Sequence, residues 1–292
     1  MRVATVALVC LTAAAVCTGS RSPISDREIL ELSAQLFDSD TNNVYDHLDV
    51  NTGGRVPYGK STDYAQAPLL EPFNATRYLS APTYTALVNF YNNYERDVNT
   101  NERHTPEEHN EQVHFINKIT ETPAINKVKQ FLSRKGYVPS SVNSFKRTMK
   151  ALWFDFYGRR RGKLTSSGFE HVLLGEVKNR QVSGFHNWVY FYFLERKNQV
   201  NYLGYKKYKL IRGRNTAMVI KFPFKWDSYL KPVTSMLVGT SPEVEISLFT
   251  LCFYARPDRN CRVKLGNQQL VLKTHTYRSG GRSMIGSAYV DL

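Results

Sequence analysis

Two histidines, His171 and His186, stand fifteen positions apart, and each follows a Gly-Phe pair: Gly168-Phe169 before the first, Gly184-Phe185 before the second. Imidazole titrates near neutral pH, so two histidines brought face to face supply one base and one acid. Glu170 and Glu176 flank the first histidine, and lysines and arginines crowd both. A single histidine is more often packed in a core than catalytic. It is the matched local context that singles out this pair.

Something must bring the two together. Residues 169–177 are apolar and β-branched and read as a strand. Asn179-Arg180-Gln181 reads as a polar turn. A strand that turns back would set the histidines opposite each other. Around this segment the chain reads as α+β, with a helical lobe over residues 22–157 and a β-rich lobe with antiparallel sheets over 158–292. Ser25 and Glu28 form a capping box ahead of Ile29, Leu32 and Leu36. Thr105-Pro106-Glu107-Glu108 is a second helix start. Further helices are expected after Pro82, from Pro123 to near Gly136, and over residues 145–157. In the second lobe, residues 200–209 and 217–224 read as strands. Gly266-Asn267 reads as a hairpin turn. Residues 187–197 and 244–254 fit strand or helix equally well.

The formal net charge is +14, and its distribution says more than its size. Residues 158–214 carry 13 Lys and Arg against 3 Asp and Glu; residues 22–157 carry 14 against 17. The positive field is therefore centred on the histidines, where it would attract a polyanion. A solvated basic face is the plainer explanation of the same numbers.

Met1-Arg2, an apolar run over residues 3–16 and small residues up to Ser20 read as a secretory signal peptide (residues 1–20), which places the mature chain outside the cell. No later stretch reaches about eighteen apolar residues, so no membrane anchor is expected. Cys10 and Cys17 would leave with the signal. Cys252 and Cys261 remain, an even pair in an oxidising compartment, and one disulfide is expected. Asn74-Ala75-Thr76 is an N-glycosylation sequon. His104, His109 and His114 recur every five residues, about 140° apart on a helix, and cannot share a face as zinc ligands would.

The motifs SSGFEHVLLGEV, VSGFHNW, YLKPVTSMLVGTSPEVE and IGSAYV, in this order, resemble the EndoU family of poly(U)-specific endoribonucleases. The likeness extends into the first lobe through ELSAQLFDSD and FKRTMKALWFDFYGR. The coronavirus uridylate-specific endoribonuclease is more distantly similar. The resemblance implies catalysis by His171, His186 and Lys231, with Glu170 and Glu176 as supporting acids. It implies that Ser235, Ser287 and Tyr289 contact uridine. Many members have threonine where Ser287 stands, and proline where Val290 stands; the first change keeps the hydroxyl, the second concerns the local backbone. It also implies stimulation by Mn²⁺, although no cluster here has spacing that would fix an ion.

Two function classes follow. One is a secreted, monomeric endoribonuclease that cuts single-stranded RNA at uridylates through the ribose 2′-OH. The other is a secreted binder of polyanions (RNA, glycosaminoglycan or anionic lipid) with little catalysis. A binder needs charge but not the trio His171, His186 and Lys231, which favours the enzyme.

Overall fold

The structure is a computed structural model that describes residues 21–92, 94–100, 105–157 and 166–292. Residues 1–20, read above as a signal peptide and holding Cys10 and Cys17, lie outside the described residues, as do His104 and the basic run Arg159-Arg160-Arg161. The fold is mixed α+β with antiparallel sheets. Helices come first: α1 (Asp26–Asp38), the short α2 (Ala75–Tyr78), α3 (Pro82–Val88), α4 (Pro106–Thr120), α5 (Pro123–Arg134) and α6 (Val142–Phe154). The expected capping box of Ser25 with Glu28 forms, and the expected helix start at Thr105 is a second box, with Glu108. Each satisfies two main-chain donors that a helix start leaves unpaired.

The hairpin β1 (Glu176–Lys178) and β2 (Gln181–Ser183) follows, then α7 (Trp188–Arg196). One sheet holds β3 (Val200–Tyr202), β4 (Lys207–Arg212), β5 (Thr216–Trp226) and β6 (Tyr229–Val238); β5 sits at its centre. Helix α8 (Pro242–Ala255) then leads into a meander of β7 (Asn260–Leu265), β8 (Gln268–Ser279) and β9 (Arg282–Asp291). Buried α8 packs on α1, α3 and α5, and α1 packs on β7, so one apolar core runs through helices and sheets.

Three expectations change. Residues 169–177 are mostly helical rather than a strand: a helical turn from Gly168 continues as a π-turn over Glu170–Leu174, and only Glu176 onward is β. The cause is a capping box that reads like a flanking acid. Ser167 Oγ accepts from Glu170 N at 3.2 Å, and Glu170 Oε2 accepts from Ser167 N at 2.7 Å. Residues 200–209 do not form one strand. Gly204, with φ of +98°, breaks them where a Cβ would lie 2.4 Å from the Gly54 carbonyl oxygen. The turn after β1 is two residues, not three: Asn179 and Arg180 both have positive φ, and Gln181 already belongs to β2. The two open segments resolve as helices α7 and α8, each started by a side-chain cap, Asn187 and Ser241.

Cys252 on α8 and Cys261 on β7 are joined in a disulfide. Their separation of nine residues closes a short loop, worth about 2–3 kcal/mol in the chain-entropy account. Denaturant unfolding with and without a reductant should differ by about that amount; identical midpoints would mean that the loop is held equally well by packing.

Candidate active site

The two histidines are fixed by main chain before any side chain acts. Phe185 N donates to the His171 carbonyl oxygen at 3.0 Å, and His186 N donates to that of Val172 at 2.7 Å. The clasp requires Gly184. Its φ is +67°, and a Cβ there would stand 1.7 Å from the His171 oxygen. Phe185 also has positive φ, at 67°, which costs a non-glycine residue of the order of 1–3 kcal/mol. Its ring offsets that cost in a fully buried aromatic cluster with Tyr190, Phe191, Phe224 and Trp226. Phe169 plays the same part for His171. It packs on Phe90, Phe115 and Phe154 from the helical side of the core.

The histidines have different partners. His171 is 4% exposed, and its Nδ1 lies 3.0 Å from Glu176 Oε2. Ser166 Oγ donates to the other oxygen of Glu176. The carboxylate fixes Nδ1–H on His171 and directs Nε2 away from itself. His186 Nδ1 lies 3.1 Å from the Ser235 carbonyl oxygen, which can only accept, so Nδ1 carries the proton here too. Thr234 Oγ donates to the Phe185 carbonyl at 2.7 Å and lies 3.2 Å from the same Nδ1. Burial holds the His186 imidazole well below its ordinary range, and the Lys231 charge pushes the same way. His186 is therefore a neutral imidazole at neutral pH, with a free lone pair on Nε2.

Lys231 stands on β6, where a bulge opposite β5 takes up Pro232 and Val233. A proline has no N–H to lose in a bulge, and bulges re-aim neighbouring side chains. Burial lowers the Lys231 ammonium to about 8, and Glu176 partly offsets the shift.

His171, His186, Lys231, Ser235, Ser287 and Tyr289 line one cleft of about 540 Å³. Tyr289 stacks near His186, with centroids 5.4 Å apart. Ser287, Tyr289 and Asp291 alternate along β9 with the buried Ala288 and Val290, so all three face the cleft. Ser235 is buried, and its hydroxyl donates to the Val290 carbonyl oxygen, tying β6 to β9. Its proton is thus engaged within the protein. Glu170 caps its own helical turn and lines a different, water-sized cavity. Glu176 is the acid that meets the His171 ring. The cleft also holds Lys221, Lys273, His275, Thr234 and Asp291, which sequence reasoning missed. Asn74 is exposed and caps α2 through its side-chain oxygen. His109 and His114 lie on α4, and no group of three or more His, Cys, Asp or Glu among the described residues is placed to hold a metal ion.

A neutral imidazole, a carboxylate-backed imidazole and an ammonium in one basic cleft make up a site for acid–base chemistry on an anionic substrate. The chain belongs to the endoribonuclease XendoU family, whose pattern matches residues 28–290. It is 38% identical over 277 residues to uridylate-specific endoribonuclease C of Xenopus laevis, covering 92% of this chain and 90% of that protein. A human uridylate-specific endoribonuclease is 33% identical over 281 residues, covering 93% and 67%. The solved structure of XendoU, described as a splicing-independent snoRNA-processing endoribonuclease, superposes with a TM-score of 0.74 at 30% identity, covering 90% of this chain and 96% of that one.

Two measurements test this geometry directly. In an NMR titration the His186 imidazole should stay neutral, in the Nδ1–H form, to well below pH 6.5. Lys231→Ala should raise its pKa, because a neighbouring cation and part of the desolvation are removed together. A His186 that titrates at 6.5 or above in the unaltered protein contradicts the environment described. Gly184→Ala should separate the two histidines, costing at least ~1–3 kcal/mol of stability; a variant of unchanged stability would show that the main-chain clasp is dispensable.

Proposed function

We propose that this protein cleaves single-stranded RNA at uridylates by attack of the ribose 2′-OH, leaving a 2′,3′-cyclic phosphate and a 5′-hydroxyl. The observation that carries the reading is the unequal pair: one imidazole neutral with a free Nε2, the other held by a carboxylate. His186 Nε2 takes the 2′-OH proton as the P–O2′ bond forms. His171 gives the Nε2 proton to the departing O5′ as the P–O5′ bond breaks. Glu176 stabilises imidazolium charge on His171, which suits the acid. Lys231 faces the charge that grows on the non-bridging oxygens, a stabilisation larger in the transition state than in the ground state. DNA has no 2′-OH and would bind without reacting.

For uridine, the Ser287 hydroxyl can both donate and accept, matching O2 or N3–H of the base. The Tyr289 ring gives a face for base or ribose. Ser235 contributes by holding β9 against β6 rather than by offering its proton. The likeness to the uridylate-specific endoribonucleases C and D of Xenopus laevis supports uridylate specificity.

Manganese stimulation is implied by the family likeness, yet Glu170 and Glu176 are committed to a helix cap and to His171. These residues do not fit a dedicated Mn²⁺ site, and no step above is routed through the ion. Its place in this reading is on the RNA phosphates. Secretion through residues 1–20, glycosylation at Asn74 and a monomeric state belong to the same proposal.

The test uses an RNA with one uridine and a twin with 2′-deoxyuridine there. Only the first should be cut, 3′ of the uridine, with a cyclic phosphate end identified by mass. His171→Ala and His186→Ala should each lose ~10²–10⁴ in rate. Uncut RNA, or wild-type turnover in either variant, overturns the reading. The pH profile adds a second check. Since the Lys231 pKa is lowered to about 8, its charge is present below that pH and is lost as pH rises through it. The rate should therefore fall above about pH 8. In Lys231→Arg the residual activity should lose this limb, because guanidinium stays charged.

A further inference from the structure

Three half-buried charges line the cleft and take no part in the steps above. Lys221 comes from β5, Lys273 from β8 and Asp291 from the end of β9. Lys221 Nζ donates to Asp291 Oδ1 at 3.2 Å, and Lys273 Nζ lies 2.7 Å from Oδ2. Each carboxylate oxygen thus holds one ammonium, and the two lysines belong to different sheets. Lys221 also reaches the main-chain oxygen of Leu292 at 3.4 Å. The trio leaves one net positive charge facing the cleft. An anion bridged by two ammonium groups is also how a phosphate is commonly held.

Strand register says where this clamp lies along a bound RNA. Lys273 is directly opposite Tyr289, and Lys221 is directly opposite Ser235. Asp291 follows Tyr289 by two residues on the same face, about 7 Å along the strand. The clamp therefore continues the row Ser287, Tyr289 that would read the base. The scissile phosphate, by contrast, belongs to His171, His186 and Lys231. A uridine with its 3′-phosphate at the histidines and its base on Tyr289 has one other phosphate of its own.

We propose that Lys221 and Lys273 form a subsite for the 5′-phosphate of the uridine, and that Asp291 holds the two ammonium groups in place when no RNA is bound. The proposal rests on the cleavage reading above. Asp291 is held below its ordinary range, first by the hydrogen bond from Lys273, so it is ionised at neutral pH. Its charge preorganises the lysines but repels an arriving phosphate. The clamp thus trades affinity for a fixed geometry, and removing the charge at Asp291 strengthens binding of the phosphate.

The experiment compares two RNAs whose only uridine is the first nucleotide, one with a 5′-phosphate and one with a 5′-hydroxyl. The phosphorylated RNA should have a KM lower by about tenfold, the size of one charge-assisted contact, with kcat little changed. In the double variant Lys221→Gln, Lys273→Gln the KM ratio of the two RNAs should fall to near one. In Asp291→Asn it should rise above that of the unaltered protein. If both RNAs are cut with equal KM, the subsite is overturned while the cleavage reading stands. If neither is cut at uridine, both fall. A phosphate preference that persists in the double variant also overturns the subsite. Should that variant fail to fold, Asp291→Asn decides: an unchanged or smaller preference refutes the clamp.

Discussion

A glycine pressed against a carbonyl oxygen is the constraint on which the rest of this site depends. The main chain of residues 184–186 lies on that of 171–172, so closely that no side chain fits at Gly184. Two hydrogen bonds then hold the histidine-bearing segments together. Each segment is anchored separately by the phenylalanine of its Gly-Phe pair. Phe169 sits among aromatic rings of the helical side, and Phe185 among those of α7 and the central sheet. The site lies on the seam between two packed clusters. Its geometry is set by core packing on both sides rather than by loop conformation, which suits groups that must stay aligned within a fraction of an ångström.

Identical side chains are given different environments here because their Nδ1 partners differ. A carboxylate backs His171, and a main-chain oxygen backs His186. The first can stabilise an imidazolium; the second offers a dipole without a charge, while burial and Lys231 both disfavour the protonated ring. Glu176 also acts on Lys231, keeping its ammonium from falling further than about 8. One buried carboxylate thus acts on both His171 and Lys231. Environments that push two like groups apart are how acid and base roles are assigned on one fold.

That the histidines, Lys231 and the β9 pair share one cleft follows the order of the motifs that name them, and the capped helices were legible because their termini are local signals. What failed had physical causes. An apolar run of nine residues fits a buried strand or a buried helix equally well, and the cap that Glu170 forms with Ser167 was not read as a helix start. Lys273 and His275 were invisible for a different reason. Counting back from Ser279 opposite Arg282 at the tip of the β8–β9 hairpin would pair Lys273 with Ala288, a core residue. The extra residue taken up near Gly286 shifts the register by one and sets Lys273 opposite Tyr289 instead. A one-residue slip exchanges the two faces of a strand, so composition could not have placed these side chains in the cleft.

Behind His186 the same logic runs in reverse. Glu245 on α8 shares a small cavity wall with His186, where an ionised carboxylate would favour the imidazolium and spoil a neutral base. Burial instead pushes Glu245 up to about 8, so it is a neutral acid at pH 7. Its hydrogen bonds pull the other way, and burial wins. The Thr240 hydroxyl shares its proton between the Leu237 carbonyl oxygen at 2.9 Å and Glu245 Oε1 at 3.1 Å, a contact that favours the ionised form but is outweighed by burial. Glu245 Oε2 accepts from Asn187 Nδ2 at 3.2 Å, and Asn187 Oδ1 accepts from Tyr190 N to start α7. The residue next to His186 is thus gripped by a polar network that carries no net charge. A glutamine would keep most of these contacts, whereas an apolar residue would leave the Asn187 amide unpaired in the core, at about 1–3 kcal/mol. The network therefore supplies position without field, and the field at His186 comes from Lys231 and, less, from His171, with burial acting in the same direction.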